Sequence, residues 1–187
     1  MLWAVREFGF PYELIRLDPF KGETRTEEFL KLNPARKVPV LVMGDKVLTE
    51  SIAIMEYLND LSPEIKLVPT GPDAVYIYRR TLLYGLTELE PYMWLSEQAH
   101  RLRRLYSWPS GTYKQAIKVS RQSLEQIWKW LEEREYMAGD QFTLADIYYY
   151  HLITWAGQNG IDIPYHLAPY LERLQQRSHF PDAMLPD

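Results

Sequence analysis

The alternation of apolar and polar positions divides the chain into a front part of mixed periodicity and a longer, purely helical remainder. Met1 to Phe8 has helical spacing and ends at Gly9, where a left-handed residue would terminate it. Tyr12 to Leu17 alternates and predicts a strand, and Thr24 to Leu32 predicts a short helix capped by Thr24 or Thr26. Two short apolar runs then flank Gly44-Asp45, the turn chemistry of a β-hairpin, and Pro39 stands at the start of the first run. A proline at such a tight strand start is a candidate for a cis peptide bond. Glu50-Ser51 opens the helical segment Ile52 to Leu61, which stops near Ser62-Pro63. Ser51 offers a hydroxyl and a backbone N–H at the positive end of that helix, a ready anion site.

Beyond Pro69-Thr70-Gly71-Pro72, which reads as a linker, no strand alternation remains. Asp73 to Leu105 predicts one long helical stretch, kinked or divided at Pro91, and Tyr106 to Thr112 a loop. Tyr113, Ile117, Ser120, Leu124, Ile127 and Leu131 recur at three- and four-residue steps, the stripe of a helix packed on one face. Thr143 is placed as the N-cap of the next helix, with Asp146 three residues on, where its carboxylate can bond back to the cap. Gly157 to Pro164 reads as a loop, Tyr170 to Ser178 as the last helix, and Pro181 and Pro186 as the end of regular structure. The boundaries are a first domain over 1–66, a linker over 67–72 and an all-α domain over 73–187.

Composition narrows the function classes. A net charge of −4 over 187 residues gives no basic field for nucleic acid. There is no run of about 18 apolar residues for a membrane span and no basic-then-apolar leader at Met1, so the cytoplasm is the expected compartment. With no Cys, thiolate metal sites and a cysteine nucleophile are excluded from these residues. His100, His151, His166 and His179 show no ligand spacing, so no metal site is expected. The 14 Tyr and six Trp suit either a large helical core or an aromatic cleft. Tyr76, Tyr84, Tyr92, Trp94 and Tyr106 are the candidates for a cleft where the two halves join.

Asn33-Pro34-Ala35-Arg36-Lys37-Val38-Pro39-Val40-Leu41, followed by Glu50-Ser51-Ile52-Ala53-Ile54, resembles the N-P-x-x-K-V-P-x-L … E-S-x-A-I signature of glutathione transferases. Gly139 to Asp146 is similar to the G-x-x-F-T-x-A-D capping motif of their helical domain, and Tyr165 to Leu174 to the final helix of bacterial, beta-like members. The resemblance implies an α+β, thioredoxin-like N-terminal domain followed by an all-α bundle. It implies that Val38 pairs with the backbone of glutathione, with Pro39 holding it in place. Glu50 would take the γ-glutamyl ammonium, Ser51 its carboxylate, and Lys37 the glycyl carboxylate. A cation, an anion and helix-terminal N–H donors are what a ligand with two carboxylates and one ammonium requires. Read singly, Lys37 and Glu50 are also ordinary solvated charges and Ser51 an ordinary cap; the ordered set is what selects the binding role.

The resemblance further implies a first strand and a turn bearing the catalytic Ser, Tyr or Cys ahead of Leu2, so the catalytic group is expected before Met1. That strand lies inside a thioredoxin-like sheet, and its loss would strip two ladders, at roughly 1–3 kcal/mol for each backbone group buried unpaired. The expectation is therefore that the natural start lies upstream; a shortened, non-catalytic binding protein is the other reading. His100, in Ser96-Glu97-Gln98-Ala99-His100-Arg101, resembles a histidine that approaches the glutathione sulfur in beta-like members, and equally reads as an exposed imidazole beside Arg101, Arg103 and Arg104. The activity implied is addition of the glutathione thiolate to a small apolar electrophile by a homodimer. A different glutathione-dependent enzyme, a reductase, isomerase or dehalogenase, stays open.

Overall fold

Ordered from Met1, the secondary structure follows the predicted change from mixed to helical at about residue 66. The computed structural model describes residues 1–181. Two units separate, one of residues 1–66 and one of Leu67–Phe180.

The first unit has helices α1 (Leu2–Glu7), α2 (Glu27–Leu32) and α3 (Ser51–Leu61) and strands β1 (Val40–Met43) and β2 (Lys46–Thr49). The apolar positions of α1, Trp3, Ala4 and Val5, are buried and the helix packs on α3, whose Ile54, Met55 and Leu58 are buried in turn. Gly9, at φ 70°, follows the C-cap Phe8 as expected. Of the two threonines proposed to cap α2, Thr26 does so: its Oγ1 accepts from Phe29 N–H at 3.2 Å. β1 and β2 are antiparallel, Val40 opposite Thr49 and Met43 opposite Lys46, with Gly44 and Asp45 left as the two-residue turn. Lys46 Nζ donates to Tyr57 Oη at 2.8 Å, which pins β2 to α3.

Tyr12 to Leu17 departs from its prediction. No ladder includes it among the described residues, and Tyr12, Leu14 and Ile15 are exposed, Ile15 by 72%. Alternation announces a face to be buried, but a strand exists only where a neighbour supplies the hydrogen bonds.

The second unit is a helical bundle of α4 (Pro72–Tyr84), α5 (Glu90–His100), α6 (Thr112–Leu131), α7 (Leu144–Gln158) and α8 (Ala168–Gln175). The sequence expected a break at Pro91. It takes the form of a π-helical turn over Gly85–Leu89 that runs without a gap into α5, so the carbonyl of Thr87, four residues before Pro91, which the proline crowds and cannot pair, lies within the widened turn. Gly85, at the start of this turn, lets α7 come close, since a Cβ there would lie 2.6 Å from Tyr148 Cε1. The last helix starts two residues before the expected Tyr170, with Pro169 in its first turn, and ends at Gln175. The expected terminator Pro186 lies outside the described residues.

α7 is the axis of this unit. Leu144 to Tyr150 are all buried, as are Leu152, Ile153 and Ala156, so the helix is apolar nearly all round. Its polar atoms find partners on its neighbours. Tyr149 Oη donates to the Thr81 carbonyl at 2.7 Å, Trp155 Nε1 donates to Glu97 at 2.8 Å, and Tyr148 Oη donates to Glu90. The predicted capping box is present, Thr143 N–H donating to Asp146 Oδ2 at 2.8 Å. Asp146 also accepts from Met137 N–H at 2.8 Å and from Tyr170 Oη at 2.9 Å, so one carboxylate fixes the helix start, the turn before it and α8. None of the helices among the described residues is long and apolar enough to cross a membrane.

Candidate functional site

The hairpin register determines which loops become neighbours. Because Val40 lies opposite Thr49, the residues that lead into β1 and those that leave β2 emerge at the same end of the two strands. Lys37, Val38 and Pro39 arrive at that end, and Glu50 and Ser51 depart from it. The two segments of the predicted signature, separated by ten residues of sequence, are thus brought side by side by a single tight turn.

Each segment is held by its own backbone chemistry. On the incoming side Asn33 is buried and its side chain bridges the loop: Nδ2 donates to the Lys37 carbonyl at 2.8 Å, and Oδ1 accepts from Ala35 N–H at 3.0 Å. Arg36, at φ 61°, completes the turn, its N–H donating to the Asn33 carbonyl at 3.0 Å. The Val38–Pro39 peptide is cis, the geometry expected of that proline. Val38 is 46% exposed, and the Lys37 side chain is exposed beside it.

On the outgoing side the sequence places Ser51 as a cap, whereas Ser51 is the first helical residue and Glu50 the N-cap. Glu50 is exposed and adopts φ 68°, ψ 110°, a conformation that a side chain disfavours. Its carbonyl accepts from Ile54 N–H at 2.9 Å, which leaves the N–H groups of the first turn of α3 pointing out of the helix at its positive end. The Glu50 side chain makes no capping bond to that end. A solvent-facing carboxylate, an exposed ammonium, an exposed peptide and an uncapped helix N-terminus therefore share one end of the hairpin. Such a set can hold a zwitterionic peptide-like molecule by both of its charges.

His100 belongs to the second unit, at the end of α5. It is exposed and its ring stacks on Tyr113 of α6 at 4.7 Å between centroids. Arg101 of the neighbouring arginine cluster pairs with Glu97 at 3.1 Å. Of the aromatic candidates, Tyr84 packs edge-on against Trp130 at 4.9 Å, Trp94 lies 6.2 Å from Trp155, and Tyr76 is exposed on α4. Among the described residues no group of three or more His, Cys, Asp or Glu side chains is arranged to hold a metal ion. Glu50's backbone conformation was invisible in the sequence, because nothing local distinguishes a strained N-cap from a relaxed one.

Comparison with known proteins points the same way. Two family models match, the glutathione S-transferase N-terminal domain over residues 1–60 and the glutathione S-transferase C-terminal domain over residues 102–178. Glutathione S-transferase 1 of Dianthus caryophyllus is 35% identical, over 75% of this chain and 63% of that protein. Glutathione S-transferase GstA of Escherichia coli O157:H7 is 26% identical, over 97% and 89%. A probable maleylacetoacetate isomerase of Caenorhabditis elegans is 28% identical, over 89% and 74%. The crystal structure of a glutathione S-transferase from Pseudomonas fluorescens superposes with a TM-score of 0.83 at 27% identity, covering 98% of this chain and 91% of that one. A glutathione transferase homologue from Sulfitobacter, solved with bound glutathione, shares the fold with a TM-score of 0.80 at 22% identity, over 96% and 88%.

Proposed function

Because the chain belongs to the glutathione S-transferase family, whose substrate is glutathione, we propose that the end of the hairpin bearing Lys37, Val38, Pro39, Glu50 and Ser51 binds that tripeptide. In this reading the backbone of Val38 pairs with the cysteinyl part, beside Pro39. Glu50 meets the γ-glutamyl ammonium, while Ser51 and the first N–H groups of α3 receive the adjacent carboxylate. Lys37 meets the glycyl carboxylate. The observation that carries the reading is the strand register, which joins the two signature segments at one end. Binding in this mode fixes both ends of the tripeptide and leaves its thiol to react.

The reaction we infer is addition of the glutathione thiolate to a small apolar electrophile, since the thiolate and not the thiol is the nucleophile. The isomerase relatives favour a second reading, in which glutathione adds transiently and the product is a rearranged double bond. We assign no residue to thiolate stabilisation. We also propose that the protein acts as a homodimer, the partner surface including the exposed Tyr76 and Leu83 of α4.

Calorimetric titration with glutathione tests the site. Saturable binding is expected, weakened about tenfold, or ~1.4 kcal/mol, in each of Lys37→Ala, Glu50→Gln and Ser51→Ala. Unchanged affinity in all three overturns the assignment. Assays with an apolar electrophile and with a cis-dienone then separate addition from isomerisation.

A further inference from the structure

Asn33 is buried at the end of α2, 6% exposed, and all four of its hydrogen-bonding groups are engaged within the signature loop. Its backbone N–H donates to the Phe29 carbonyl at 2.8 Å and its carbonyl accepts from Arg36 N–H at 3.0 Å, so the last turn of α2 and the turn that follows set its position. In the side chain, Oδ1 accepts from Ala35 N–H at 3.0 Å, while Nδ2 reaches further, to the Lys37 carbonyl at 2.8 Å. Only this last bond fixes the peptide between Lys37 and Val38.

That peptide is trans, the cis bond of this loop being the next one. In a trans peptide the C=O and the N–H point in opposite directions. With the Lys37 carbonyl turned inward to a buried amide, the Val38 N–H is turned away from it. Pro39 has no N–H, so Val38 carries the only peptide donor between Lys37 and β1. Val38 is exposed, and neither its N–H nor its C=O has a hydrogen-bond partner among the described residues. An exposed donor held in one direction suits a ligand carbonyl better than one that binding must first order.

We propose that Asn33 is a positioning residue: by holding the Lys37 carbonyl, its Nδ2 aims the Val38 N–H at the cysteinyl carbonyl of bound glutathione. The inference rests on the hairpin end being the glutathione site. Asn33 itself touches no ligand. Its effect therefore follows the cysteinyl carbonyl and not the glycyl carboxylate that Lys37 meets, which separates it from a general loosening of the loop. Asn33→Asp is the informative change. An aspartate keeps an oxygen for the Ala35 N–H but sets its second oxygen against the Lys37 carbonyl, where neither donates.

Three ligands titrated into the 187-residue chain read the difference. Glutathione and γ-glutamylcysteine amide both carry the cysteinyl carbonyl, and each should bind Asn33→Asp about tenfold more weakly than the wild type. γ-Glutamylcysteamine lacks that carbonyl and should bind both proteins alike. The Val38 amide proton tests the same point in the wild type alone, and keeps the test decisive if Asn33→Asp does not fold. It should move downfield on saturation with glutathione and not with γ-glutamylcysteamine. Full affinity for glutathione in Asn33→Asp, a loss for glutathione alone, an equal loss for all three ligands, or a Val38 amide proton indifferent to glutathione overturns the proposal while leaving the site in place. A wild type that glutathione does not saturate removes the site itself, and the proposal with it.

Discussion

The hairpin and helix α7 solve opposite problems. α7 is buried on nearly every side, and the hydroxyls of Tyr148 and Tyr149, the Trp155 indole and the Asp146 carboxylate each meet a partner from α4, α5 or α8. The hairpin leaves Val38, Val42, Met43 and Val47 between 37% and 52% exposed, and gathers its charges where solvent can reach them. A helix satisfies its own backbone and needs neighbours only for its side chains, so α7 can serve as an internal axis. A hairpin spends its backbone hydrogen bonds on one edge and keeps the ends of its strands open, which is where a ligand's peptide groups can be met. Burial is concentrated in the second unit, and the binding site proposed above lies in the first.

Substitutions should break this contrast in a graded way. The largest effect is expected from Asp146→Ala, which leaves the Met137 and Thr143 N–H groups and the Tyr170 hydroxyl buried without an acceptor. About 4 kcal/mol or more should be lost, read as a collapse of the urea midpoint. The same carboxyl gives a pH signature. Full burial pushes it up to about 6, against hydrogen bonds from Met137, Thr143 and Tyr170 that pull it down. The folded protein then holds a proton that the unfolded chain releases above its ordinary carboxylate range. The stability contributed by the protonated group is full at about pH 4 and below, and is lost as pH rises through 6. Denaturation from pH 4 to 7 should therefore show the wild type losing ground to Asp146→Asn as pH climbs.

Next comes Gly85→Ala, about 2 kcal/mol, because the new methyl meets Tyr148 and Tyr149 in the core. Thr26→Ala removes the α2 cap for about 1 kcal/mol. The smallest stability change is expected at the hairpin end, where Ser51→Ala and Glu50→Gln should leave the melting midpoint within about 0.5 kcal/mol of wild type while glutathione binding falls. If those two variants unfold the protein instead, the contrast between a buried axis and a solvent-facing site fails.

What the sequence revealed follows the range of the forces involved. The Thr26 cap, the Gly44-Asp45 turn and the Thr143–Asp146 box are interactions within two to four residues, and their residue types announce them. The ordered signature from Asn33 to Ile54 was legible because one turn joins its two parts. The break before Pro91 was legible in the same way, whereas the close approach of Gly85 to Tyr148, 63 positions away in the chain, was not. Tyr12 to Leu17 failed for the same reason in reverse, its alternation being a local pattern whose meaning depends on a distant strand. The reach of Asp146 to Tyr170 likewise depends on packing between helices, which no local pattern encodes.

Glu50 sits where the backbone would choose glycine. A φ of 68° costs a residue with a side chain on the order of 1–3 kcal/mol, which glycine would not incur. Yet glycine has no carboxylate to offer an ammonium. If Glu50 meets the ammonium as proposed, the demands of folding and of recognition select different amino acids here: Glu50→Gly should fold at least as stably as the wild type and bind glutathione worse than any other single change at the hairpin. A screen that rewards thermal stability alone would accept that substitution and discard the function with it.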